Sequence, residues 1–274
     1  APERSGGGGM SVLRGYTAYV RTAVAIRLQY RSTILASVVV TLVWILLVTR
    51  VWSAAFQGRE VVAGLTLEST VVYLTLASLQ AAVINTPVTW IMSSRVRSGE
   101  VLFDVSRPLG YPGQMLALQA GQSMIQVAVM VLVTPVAGLL GGLSGPAGLT
   151  AGLLYPVALV LGWVLNALLT LLIGLSAFWT VDNVGITVLY RFVAAFLAGA
   201  TVPLIFFPGP LRTLAEALPF RFVVYQPAAI YIGQVDGAEA LGGFALSLAW
   251  IVILAGVVGL TWRRAYRRIV VHGG

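Results

Sequence analysis

The sequence predicts an all-α, polytopic membrane protein. It has six transmembrane helices, an N-terminal interfacial amphipathic helix, and an external re-entrant helical hairpin between spans 5 and 6. Three observations predict this. Hydrophobic residues make up 58% of the 274 residues and charged ones 9%, where soluble domains carry roughly a quarter charged. Residues 108–181, between Arg107 and Asp182, hold no charged side chain, enough for two crossings about the turn Gly141-Gly142-Leu143-Ser144-Gly145-Pro146. The arginines sit almost entirely at the ends of such runs. A crossing helix needs roughly 20 mostly apolar residues for about 30 Å of hydrocarbon, and it satisfies its backbone groups within the segment. A β-barrel would show short alternating segments instead.

Taken in order, residues 1–11 read as a flexible leader, with Gly6–Gly9 ahead of Met10, a candidate native start. Residues 12–31 are too polar to span. On a helix Val12, Tyr16, Tyr19, Ala23, Ile26 and Tyr30 share one face, Arg14 and Arg21 fall opposite, and Arg27 and Arg31 flank the apolar face. That is the pattern of an amphipathic helix in the membrane interface; a solvated helix packed on a partner is the alternative. Residues 32–274 form the six-span domain: Thr33–Trp52, Val61–Ile91, Gln114–Leu140, Leu149–Thr180, Gly185–Phe206 and Leu241–Trp262. Glu68 and Arg191 fall inside predicted spans but near their ends, where snorkelling suffices. Asp182-Asn183 ahead of span 5 reads as an N-cap. Gly152, Gly162 and Gly174 favour close helix packing.

Arginine placement sets the orientation. Arg14, Arg21, Arg27 and Arg31 precede span 1, Arg95, Arg97 and Arg107 separate spans 2 and 3, and Arg263, Arg264, Arg267 and Arg268 follow span 6; the facing side holds only Arg50, Arg59, Arg212 and Arg221. The positive-inside rule therefore puts both termini in the cytoplasm. Arginine without lysine suits a high-GC bacterial genome, so the expected location is the bacterial plasma membrane.

The same composition excludes functions. All 17 basic residues are arginine, and a phosphate-binding P-loop needs a lysine, so this chain is not itself a Walker-type ATPase. There is no Cys, hence no thiolate chemistry. The sole histidine is His272, which leaves no base for a nucleophile and no metal set; no catalytic residue is expected. The net charge of +8 marks loops beside anionic lipid rather than nucleic-acid binding.

Polar side chains inside the spans form a second group. Gln119, Gln122, Ser123 and Gln126 share one face of span 3; span 2 offers Gln80 and Asn85, and span 4 Asn166 and Thr170. Gln80, Asn85, Gln119, Gln122, Gln126 and Asn166 are candidates for a substrate path. The competing role is interhelical hydrogen bonding, worth about 0.6–2 kcal/mol each.

Two connections are unlike plain loops. Residues 93–112 carry charges of both signs around Arg97-x-Gly99-Glu100-Val101-Leu102-Phe103-Asp104-x-x-Arg107-Pro108-Leu109. Residues 201–233 are too apolar for an ordinary loop, and Pro203, Pro208, Pro219 and Pro227 break them into short pieces. Short apolar pieces between breakers suggest re-entrant half-helices, tolerated only when buried against protein or facing a cavity.

These two segments resemble those of bacterial type-2 ABC exporter permeases, small six-span chains paired with a separate ATPase. The resemblance covers nearly the whole chain in topology. It implies that residues 12–31 are a connecting helix and residues 93–112 a coupling segment that docks on the ATPase. Phe103 and Leu102 would enter a partner groove, beside Gly99 and Pro108, with Arg97, Glu100, Asp104 and Arg107 pairing at its rim. It implies an external gate at Pro203, Phe206, Phe207, Pro208, Pro219, Phe220, Phe222 and Tyr225. It also implies a second permease, identical or homologous, and two ATPase copies that hold the ATP and Mg, with no cofactor in this chain. The rival expectation is an ion-coupled secondary transporter, for which Glu68 and Arg191 are the candidate mid-membrane charges.

Overall fold

The structure, a computed structural model, describes residues 7–62, 64–180 and 183–272. Residues 1–6 of the expected leader and the Asp182 cap lie outside the described residues. Helix α1 (Gly7–Gln29) gives way at Tyr30 to α2 (Arg31–Phe56). A two-residue ribbon, β1 (Val61–Val62) antiparallel to β2 (Leu65–Thr66), leads into α3 (Leu67–Ile84). The Thr66 hydroxyl accepts from the Ser69 N–H at 3.1 Å, an N-cap. Glu68 sits in that first turn, where a carboxylate meets the positive end of the helix dipole.

The sequence predicts span 2 as one run, Val61–Ile91. The structure divides it. Asn85-Thr86-Pro87 separates α3 from α4 (Val88–Ser98). Pro87 lacks an N–H and disfavours the helical conformation at Thr86. Gly99, at φ 75°, then ends α4 with a turn that few side chains tolerate. The chain continues through α5 (Val101–Val105), α6 (Tyr111–Leu139) and α7 (Leu149–Leu175), which closes in a 3₁₀ turn at Ser176–Phe178.

Helix α8 (Val184–Leu197) departs from the predicted span 5, Gly185–Phe206. It has 14 residues, roughly 21 Å, short of a full crossing. Gly199 at φ 71° stops it, and the Tyr73 hydroxyl donates to the Gly199 carbonyl at 2.8 Å. Among the described residues five helical stretches are long and apolar enough to cross: Arg31–Phe56, Leu67–Ser98, Tyr111–Leu139, Leu149–Phe178 and Gly237–Arg268. After α8 come a 3₁₀ turn (Leu204–Phe206), α9 (Gly209–Ala217), a second turn (Pro219–Phe222), α10 (Tyr225–Tyr231) and the long α11 (Gly237–His272).

Glycines let backbones touch where the elements cross. Helix α1 docks along the first half of α6: a Cβ on Gly113 would lie 2.7 Å from the Tyr16 hydroxyl, and one on Gly121 2.5 Å from the Val20 carbonyl oxygen. Of its predicted apolar face, Ala23 is buried and Tyr16 and Tyr19 half-buried, while Val12, Ile26 and Tyr30 stay exposed. The N-terminal helix thus packs on the bundle with part of that face. The central core gathers Tyr73, Met92, Met115, Leu165, Leu171 and Phe222.

The segment after α8 dips back into the bundle. A Cβ on Gly162 would lie 2.6 Å from the Phe222 carbonyl oxygen and 3.1 Å from Val223 Cα. Gly162 stands roughly 20 Å along α7 from Leu149 at about 1.5 Å per residue. From that depth α10 returns: the Tyr231 ring meets Tyr155 at 5.0 Å, and the Ala147 N–H donates to the Tyr231 carbonyl at 2.9 Å.

Candidate functional site

Two regions of the bundle concentrate polar chemistry. The first is the end where α4, α5 and the start of α6 meet. Asp104 on α5 is 4% exposed and accepts from the Arg95 guanidinium of α4 at 2.6 Å, with Arg107 at 3.8 Å. The Asp104 backbone carbonyl accepts from the Gln114 amide of α6 at 2.8 Å. That amide also donates to the Leu109 carbonyl at 2.8 Å, and its oxygen accepts from the Tyr19 hydroxyl of α1 at 2.5 Å. Arg107 donates to the same hydroxyl and lies over the Tyr19 ring at 5.6 Å. One ion-paired, hydrogen-bonded node therefore ties α1, α4, α5 and α6 together. The face away from it is apolar: Leu102 is 52% and Phe103 72% exposed.

The structure brings the predicted docking residues onto and around this element, most of them exposed and Asp104 turned inward. Leu102, Phe103, Glu100, Arg97 and Pro108 are exposed around α5, and Gly99 makes the turn before it. Asp104 faces inward instead of standing on a rim, and Arg107 braces it. Sequence reasoning missed Arg95 and Gln114 as members. Their spacing carries no signal, because the partners come from different helices. Behind the node, Tyr111 stacks on Trp262 at 5.0 Å and meets Phe178 edge-on at 6.0 Å, joining α6 to α11 and to the turn that closes α7.

The second region is the break in span 2. The carbonyls freed at the end of α3 are taken by side chains of other helices. The Ser123 hydroxyl of α6 donates to Val83 O at 2.9 Å and accepts from the Trp163 indole of α7 at 2.9 Å. The Asn166 amide of α7 donates to Ile84 O at 3.1 Å. A cavity lies on either side of the break. The larger, about 540 Å³, is walled mainly by apolar side chains of α3, α6 and α7, with Gln80, Ser123 and Trp163 among them. The smaller, about 170 Å³, is lined by Asn85, Thr86, Thr89, Asn166, Thr187 and Arg191 between apolar walls. Ile84 and Val223 line both, so the tip of the returning segment stands at the break.

Of the six candidate path residues, Gln80 faces the larger cavity and donates to the Tyr155 hydroxyl at 3.3 Å. Asn85 and Asn166 face the smaller. Gln119 is fully buried on α6, and among the described residues neither of its amide atoms has a partner. Gln122 and Gln126 are half-buried on the same helix. None of these three lines either cavity. The Thr86-Pro87 dipeptide is the sequence signal for the break, set inside an apolar run.

The candidate gate residues are gathered beyond the break. Phe207 stacks on Phe196 of α8 at 4.8 Å, and Phe206 meets Trp52 of α2 at 5.4 Å. Pro203, Pro219 and Phe222 are buried, and Phe220 and Tyr225 half-buried, against Tyr190 and Tyr73 respectively. Pro208 is exposed at the start of α9, whose Arg212 and Glu216 pair at 2.7 Å.

The geometry is that of a multi-pass membrane protein with a braced helix at one end and a proline-broken segment packed against α7. A search of curated proteins returns no match. A family profile described as "ABC-2 family transporter protein" matches residues 41–273, from within α2 to the end of α11. The chain belongs to the ABC-2 transporter family, as one of its membrane-spanning permeases.

Proposed function

We propose that this chain is the permease subunit of an ATP-driven exporter in the bacterial plasma membrane. Both termini are cytoplasmic, and it moves a hydrophobic or amphipathic molecule outward. Two ATPase subunits, carrying ATP and Mg, engage two permeases, this chain with itself or with a similar one. The observation that carries the reading is α5. Leu102 and Phe103 project from a five-residue helix whose other side is held by the Asp104 node. An exposed aromatic on a braced support suits a partner groove, since buried aromatics dominate interface energies. Its charged surroundings set orientation more than affinity.

ATP binding closes the ATPase pair and pushes α5. The push passes through Asp104, Gln114 and Tyr19 to α4, α6 and α1, rocking the helices around the break. The Thr201–Gly233 segment caps the external end, and with α8 it completes the sixth crossing. The two cavities at the break are the proposed cargo path, with Gln80, Asn85 and Asn166 on their walls.

The test is purification in mild detergent with the proteins encoded beside it, followed by mass identification and an ATPase assay. Stoichiometric recovery of a Walker-motif subunit with vanadate-sensitive hydrolysis is the expected result. Recovery of this chain alone, with transport that collapses under an ionophore, would replace the reading by ion-coupled transport.

A further inference from the structure

We infer that the smaller cavity is a binding site for the anionic headgroup of an amphipathic molecule, a phosphate or a carboxylate. The inference rests on the exporter reading only for what the bound molecule is doing there.

Four features of the cavity point the same way. Arg191 lines it from α8, roughly 10 Å from the start of that helix. It is flanked by exposed apolar residues, among them Leu189 and Phe192. Among the described residues it has no ion pair, and no Asp or Glu lines the cavity. Arg191 is itself exposed, and a cation among apolar residues favours an anionic or hydrated partner. Helix α4 begins at the cavity: Thr86 and Thr89 line it, and the Ile91 N–H bonds back to Pro87 O at 3.0 Å. The N–H groups of Val88, Thr89 and Trp90 precede that bond. Such free donors at the positive end of a helix dipole favour an anion.

Two hydroxyls complete the set. Thr86 is 7% and Thr187 1% exposed, both line the cavity, and neither hydroxyl has a partner among the described residues. Buried polar atoms are ordinarily bonded, and these two hydroxyls stand beside a cation and a helix N-terminus, where each can donate to an anion. The cavity's volume of about 170 Å³ is below that of sites for whole drug-sized ligands, so it suits a headgroup. The apolar cavity of about 540 Å³ across Ile84 and Val223 suits an acyl or ring portion.

The experiment uses the purified full chain in neutral detergent. Binding of radiolabelled palmitoyl lysophosphatidate, palmitate and neutral monopalmitoylglycerol is compared, with inorganic phosphate as competitor. At least one anion should bind about tenfold or more tightly than the neutral lipid, the scale of one charged hydrogen bond. Arg191→Gln should remove that preference, and Arg191→Lys should keep part of it. Preference for the phosphate head with competition by inorganic phosphate indicates a phospholipid-like ligand; preference for palmitate indicates a carboxylate cargo. Should Arg191→Gln fail to fold, Thr86→Val with Thr187→Val should lower the preference severalfold, while Arg212→Gln leaves it intact. Equal binding of all three lipids, or an anion preference indifferent to both sets of variants, overturns the inference. The assay needs no ATPase, so its failure leaves the permease reading standing, and loss of the ATPase partner leaves the anion site standing.

Discussion

Gly162→Ala tests how the segment after α8 is seated on α7. The added Cβ would lie 2.6 Å from the Phe222 carbonyl oxygen and 3.1 Å from both Val223 Cα and Val223 O. Ordinary carbon–oxygen contacts are about 3.3 Å or longer, so the two backbones must part by roughly 0.7 Å. The obstacle is backbone, which no rotamer change relieves. Overpacking of this kind costs about 1–3 kcal/mol, and alanine returns about 0.5–1 kcal/mol through helix propensity. The expected net loss is about 1–2 kcal/mol. Two other glycines of α7 calibrate it. A Cβ on Gly152 meets Pro146 at an ordinary 3.4 Å, so Gly152→Ala should be neutral or gain up to about 1 kcal/mol. A Cβ on Gly174 overlaps Met92 Sδ, the movable part of a flexible side chain, so Gly174→Ala should fall between. Thermal unfolding in detergent ranks the three. Because the chain has no Cys, a single Val224→Cys reports directly on the tip, which is buried. Its labelling by a membrane-impermeant maleimide should quicken in the Gly162→Ala background. Equal stability of all three alanine variants with unchanged labelling would refute the close seating of the segment on α7.

Other predictions follow from the same contacts. Phe103→Ala and Glu100→Arg should each weaken ATPase association about tenfold or more, read by co-purification, without loss of permease stability, because both side chains are exposed. Asp104→Ala leaves Arg95 without its carboxylate in a partly buried site. It should destabilise the chain by about 1–3 kcal/mol, below the loss for a fully buried pair, and lower transport per ATP hydrolysed. Ser123→Ala strips the Val83 carbonyl and the Trp163 indole of one partner at once and should cost about 1–2 kcal/mol in thermal stability. A phosphatase or fluorescent-protein pair fused after Gly274 should report a cytoplasmic end; phosphatase activity there would reverse the topology.

Much of this protein was legible in one dimension, because the membrane imposes local rules. The membrane class, the nearly all-helical fold and the proline-broken segment over residues 201–233 follow from runs of apolar residues and from breakers, each read within a window of some 20 residues. The lack of any lysine for a phosphate-binding loop is read from the sequence without reference to structure. What only the tertiary structure decided depends on residues far apart in sequence. Asp104 turned inward because Arg95 of α4 pairs with its carboxylate and Gln114 of α6, itself held by Tyr19 of α1, donates to its carbonyl. Span 2 could break at Pro87 because Ser123 and Asn166, from α6 and α7, donate to the freed carbonyls of Val83 and Ile84. Helix α8 stopped short because Tyr73 holds Gly199. Arg191, exposed near the end of a predicted span, also lines a cavity built from α3, α4, α7, α8 and the segment after α8. Hydropathy is a sum along the chain, whereas hydrogen-bond satisfaction in a low-dielectric interior is settled between helices, and that is where the site is made.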